Sequence, residues 1–135
     1  MCYAYVSMII PNAGGVSINV NDYKAQTTET VAKPMTLYIE EYDGEGYTAN
    51  EVKQCEALIF AYLDELAALQ SPTDEAIMDA VRRLVLALND LNASVDYTLT
   101  ETGGREAIWQ IIQSSAEECG LSDPPEDVTE EWREW

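Results

Sequence analysis

The sequence predicts a mainly helical α+β domain, an antiparallel three-helix bundle with a small N-terminal β-sheet or arm. Three observations lead there. Apolar residues recur at spacings of three and four through most of positions 49–119, the period of a helix with one buried face. The first third is rich in β-branched, aromatic and turn residues, whereas the remainder is rich in Ala, Leu and Glu, a shift from strand to helix composition. The chain has 135 residues, the size of one ordinary domain and enough to bury a core without staples.

In the first third, YAYVSMII and VSINV flank PNAGG. Pro11 stops the first run, and Gly14 and Gly15 supply the positive φ angles of a hairpin loop, so two strands are expected. A third strand is read in MTLYIEEY, where Leu37 and Ile39 alternate with Tyr38 and Glu40 before the break at Asp43, Gly44, Glu45 and Gly46. The boundary near Pro34 divides a β-rich segment, residues 1–34, from an acidic helical domain with a C-terminal tail, residues 35–135. The leading segment reads as part of one α+β domain or as an appended arm, and Met35 could even serve as an internal start.

Three helices follow, near 49–70, 72–92 and 102–119. Thr48 and Asn50 are N-cap candidates for the first, whose seam runs through Val52, Cys55, Ile59, Tyr62, Leu66 and Leu69. SPTDEAI starts the second: Ser71 caps, Pro72 takes the first helical position and Asp74 closes the capping box. So short a connection forces an antiparallel pair. Ile77, Val81, Leu84, Leu88 and Leu91 form its stripe, and Val85 with Leu86 widens the arc, as expected of the central helix. Asp79 is placed to pair locally with Arg82 and Arg83. Ile108, Ile111, Ile112 and Ala116 face inward from the third helix, Gly120 ends it, and Trp109 covers the bundle edge.

Charge narrows the function classes. There are 25 acidic residues against 7 basic ones and no histidine, a formal net charge of -18. Residues 1–34 are balanced by Asp22, Glu29, Lys24 and Lys33, so the whole surplus lies in 35–135. Such a surface repels nucleic acids and anionic lipid, and its expected partners are cations or basic proteins. YAYVSMII lacks a preceding basic residue and is too short to span a bilayer, so a cytoplasmic protein is expected. Cys2, Cys55 and Cys119 are far apart, without a CxxC, and read as free or buried thiols. Asn92, Ala93 and Ser94 match a glycosylation acceptor and are read as a helix end.

Catalysis finds little support. Without histidine the usual base for a Ser or Cys nucleophile is missing, and neither GxxxxGK nor GxGxxG occurs. Gly103 and Gly104 precede a helix, but Glu101 and Glu106 would repel a phosphate there. Pairs such as Glu40 with Glu41, or Asp64 with Glu65, arise by chance among so many acids. EEYDGEG gathers four carboxylates around two glycines, yet lacks the spacing and closing Glu of an EF-hand; a solvated loop is the simpler reading. No enzyme, metal or cofactor is expected.

The tail TEEWREW puts Trp132 and Trp135 on one face of a turn capped by Thr129. Either that face folds back onto the bundle, or the rings are exposed anchors ringed by carboxylates, suited to a basic rim. Candidate contact residues are therefore Asp43 and Glu45 in the loop, Asp64 and Glu65 opposite the first seam, and Glu131, Trp132, Glu134 and Trp135 in the tail.

ALNDLNAS, ETGGREAIWQIIQSSAEECGL and DVTEEWREW together resemble the small acidic bacterial immunity proteins encoded beside toxins. The resemblance implies a tight binder that blocks a toxin's active face, and it transfers no site residues; the acidic surplus adds that the toxin or nuclease so blocked is basic. Two other classes are compatible with the sequence: a phage-type DNA mimic acting against restriction or CRISPR nucleases, whose acids would lie in phosphate-like rows, and a structural or assembly subunit, self-associating or not, whose charge serves solubility.

Overall fold

The computed structural model describes residues 18–42, 46–100 and 104–135, and every regular element among them is helical. The segment from Val20 to Tyr42 winds without a break as α1 (Val20–Thr27), a π turn (Thr28–Ala32) and α2 (Lys33–Tyr42). α3 (Ala49–Ala68), α4 (Asp74–Ser94) and α5 (Gly104–Glu118) follow. The helices pack in cyclic order: α1 against α3, α3 against α4, α4 against α5, and α5 back against α1 and the π turn. The result is a four-sided helical bundle.

MTLYIEEY is therefore helix, not the third strand that alternation suggested. The same residues also carry a helical period, since Met35, Tyr38, Ile39 and Tyr42 recur at three and four. Tertiary packing selects that period: Met35 is buried, Tyr38 and Ile39 pack against the core, and Leu37 on the opposite face is 60% exposed. Of VSINV, the described residues leave Asn19 as the N-cap of α1 and Val20 as its first residue. YAYVSMII and the glycine hairpin lie outside the described residues. The boundary near Pro34 falls inside a continuous helix, and Ile18 and Val31 on its N-terminal side share one core with the later helices.

The π turn has a physical cause in the sequence. Pro34 has no N–H for the helical ladder, and its ring crowds the carbonyl four residues back. The widened turn ends just before it, with Lys33 N–H donating to Thr28 O, an i→i+5 bond. Thr27, Thr30 and Thr36 return their hydroxyls to carbonyls four residues back, at 2.7–2.8 Å. Residues that read as strand formers are thereby accommodated in a helix.

α3 and α4 begin close to where the sequence puts them. Thr48 caps α3 in a full capping box with Glu51. α4 is capped by Thr73, whose hydroxyl accepts from Ala76 N–H, not by Ser71; Ser71 has φ +46 and makes the turn. α3 touches the first helix, the π turn, α2 and α4, so it is the central helix, whereas Leu86 of α4 is exposed. Arg83 pairs with Glu65 on α3 and not with Asp79. Across the core, Tyr62 meets Ser115 Oγ at 2.8 Å and donates to Ile112 O, a buried polar link between α3 and α5. Gly120 at φ +111 ends α5, with Leu121 N–H returning to Ala116 O.

Candidate functional site

After Gly120 the chain doubles back over the bundle, held by two buried amides. Gln113 on α5 donates to Pro125 O at 3.0 Å and accepts from Val128 N–H at 2.9 Å. Asn89 on α4 donates to Trp132 O at 2.7 Å and accepts from Glu134 N–H at 3.1 Å. Each side chain satisfies the main chain of an extended strap that has no ladder of its own. Within the strap, Asp127 accepts from Thr129 N–H, and Trp132 and Arg133 donate to Thr129 O in a single turn. Asp127 is thus the cap expected of Thr129.

Arg133 makes an ion pair with Asp127 at 2.7 Å, donates to Trp135 O and lies 5.3 Å from the Trp135 ring centre. Burial pushes the Asp127 carboxyl up, but the Thr129 hydrogen bonds and the Arg133 charge outweigh it and hold it below the usual aspartate range.

A third buried amide builds the facing wall. Asn92 accepts from Leu99 N–H at 3.0 Å and donates to the Thr100 hydroxyl at 3.2 Å, which shapes the turn after α4. In that turn Asp96 and Tyr97 sit at φ +55 and +63, a left-handed conformation costing non-glycine residues about 1–2 kcal/mol each. Between this turn, the first turns of α5 and the strap lies a cleft of about 790 Å³, within the range of ligand sites. Tyr97, Arg105, Glu106, Trp109, Glu134 and Trp135 line it, with Asp127 and Arg133 at its strap side. Trp109 Nε1, Trp135 Nε1 and Arg133 Nε are covered and have no hydrogen-bond acceptor among the described residues. A buried donor left unmet costs about 1–3 kcal/mol, and the three residues that carry these donors all line this one cleft.

The residues singled out from sequence are only partly brought together. Asp43 and Glu45 lie outside the described residues. Asp64 is paired with Lys24 at 2.9 Å and Glu65 with Arg83, so both are locally neutralised. Glu131 is exposed, and Trp132 and Trp135 are partly buried against the core; of the two tail alternatives, the rings fold back. Glu134 and Trp135 join the cleft, which no residue of α3 lines.

Tyr97, Arg105, Trp109 and Arg133 were not singled out as contact residues. One signal could have found the frame, since Asn89 and Asn92 continue the apolar stripe of α4 at helical spacing, where a polar residue implies a buried partner. Among the described residues no group of three or more His, Cys, Asp or Glu is arranged to hold a metal, and no helix is long and apolar enough to cross a membrane.

No family model, curated protein or solved structure matches this chain.

Proposed function

We propose that this protein is an inhibitory binder of the immunity type, which blocks a basic, nucleic-acid-processing protein in the cytoplasm by covering it with an acidic face, and which performs no catalysis itself. The observation that carries the reading is the charge left over after pairing. Only four ion pairs form among the described residues, which hold 22 of the chain's 25 acidic side chains, all but Asp43, Glu45 and Glu101. Glu40, Glu41, Glu75, Glu126, Glu130 and Glu131 are exposed and outside those pairs. Exposed like charge adds self-repulsion and no stability, but it accelerates encounter with a basic partner and deters acidic ones.

In the test, the tagged full chain is used to capture its partner from a lysate of its source organism at low salt. The reading expects a basic nuclease or toxin whose activity falls to background at one equivalent of this protein and which is released by high salt. A captured partner that is acidic, or whose activity is unchanged by a full equivalent, overturns it.

A further inference from the structure

The cleft between the 95–100 turn, α5 and the C-terminal strap combines features of opposite kinds. Its walls are aromatic, from Tyr97, Trp109 and Trp135, and three buried N–H donors on its lining residues lack acceptors among the described residues. A site rich in unmet donors calls for an acceptor, and an anion is the obvious one. The charges argue otherwise. Two guanidiniums stand against the three carboxylates of Glu106, Asp127 and Glu134. Arg133 and Asp127 are already paired, which leaves Arg105 against Glu106 and Glu134 within a chain of net charge -18. A free anion would enter against that field. The acceptor that fits is neutral, and the group beside it is a cation.

A peptide in extended conformation supplies both: main-chain carbonyls as neutral acceptors, and a Lys or Arg side chain for the carboxylates. We propose that the cleft receives an extended, basic peptide segment of the partner protein, its carbonyls accepting from the indole N–H groups of Trp109 and Trp135 and its basic side chain lying between Glu106 and Glu134. This deepens the inhibitory-binder reading by naming the element of the partner that is gripped, and it rests on that reading. Arg105, which lines the cleft and is held by no ion pair among the described residues, would select against a second cation next to the first. Because the two indole nitrogens are covered in the free protein, gripping the segment's carbonyls requires the Trp109 and Trp135 rings to turn as it enters. Two of the three tryptophans line this cleft, so their emission reports entry.

The test titrates the full chain with the capped pentapeptide Gly-Arg-Gly-Arg-Gly, following tryptophan emission, with Gly-Glu-Gly-Glu-Gly and spermine in parallel. Spermine carries positive charge without carbonyls. Expected is saturable binding of the arginine peptide at one site, a shift in emission, no binding of the glutamate peptide, and weaker binding of spermine without the emission shift. Trp109→Phe keeps an aromatic face but removes the N–H together with part of the indole's bulk, so it should weaken the arginine peptide roughly tenfold, the effect of leaving one carbonyl unpaired, while leaving spermine, which has no carbonyl, unaffected. Glu134→Gln should weaken it without altering the circular dichroism spectrum. The inference is overturned if spermine and the arginine peptide bind alike with the same emission change, or if Trp109→Phe leaves the peptide's affinity intact in a folded protein. The two readings fail separately. A captured basic partner still inhibited, and bound with unchanged affinity, by the Trp109→Phe chain would remove the cleft and leave the binder, whereas peptide binding with an acidic captured partner would do the reverse.

Discussion

Asn89→Ala removes one side chain and with it both hydrogen bonds that fasten the end of the strap to α4, to Trp132 O and from Glu134 N–H. Asn89 is 5% exposed, so its amide is held where water cannot replace it. Each neutral hydrogen bond contributes about 0.5–1.5 kcal/mol net, which sets the loss at about 1–3 kcal/mol. With a urea slope of about 1–3 kcal/mol per molar, the midpoint should fall by about 1 M. Urea titrations followed by far-ultraviolet circular dichroism and by tryptophan emission check this together. The helices report the bundle, and Trp132 and Trp135 report the strap. In the variant, emission should change at lower urea than ellipticity, because the strap leaves before the bundle melts. Coincident transitions with an unchanged midpoint would refute the claim that Asn89 holds the strap.

Gly46 has φ +89, and a Cβ there would meet Thr98 Oγ1 at 2.9 Å, so Gly46→Ala should lower stability by about 1 kcal/mol or more, measured by thermal melting; Gly120→Ala, strained in φ but with open space around its Cβ, separates backbone strain from the clash. Asp127 is held below its usual range, so its contribution is complete above the unfolded aspartate range and is lost as pH falls through the folded value. Tryptophan emission should report loosening of the strap in acid, and Asp127→Asn should show the loosened signal already at neutral pH. Burial pushes the Cys55 thiol up to about 12 and Cys119 upward as well. Both should therefore resist a thiol reagent at pH 8 in the folded protein and react once urea is added, as mass mapping would show.

The bundle was legible because burial and period coincide. In α3, Val52, Cys55, Ile59, Tyr62 and Leu66 are the buried face that their spacing announces. The helix from Val20 to Tyr42 was not, because Thr27, Thr28, Thr30, Val31 and Pro34 favour strand or turn locally, and only packing of Val31 and Met35 into the core decides otherwise. In α4 the stripe was visible, but the roles of Asn89 and Asn92 were not, since their partners lie up to 45 residues further along the chain. The same distance in sequence hid the cleft. Trp109 and Trp135 stand on different elements, and nothing in either local pattern says that they line one cleft.

The acidic surface as the driver of association is tested most directly by the rate at which this protein binds its captured partner, measured by stopped flow from 50 to 500 mM salt. Surface charges more than about 8 Å apart are screened at physiological ionic strength. The association rate should therefore fall by about tenfold or more across that range, while the dissociation rate changes little. Replacing Glu130 and Glu131 by Lys should slow association more than the same change at Asp64 and Glu65, which Lys24 and Arg83 already neutralise. An association rate that is flat in salt would contradict the account.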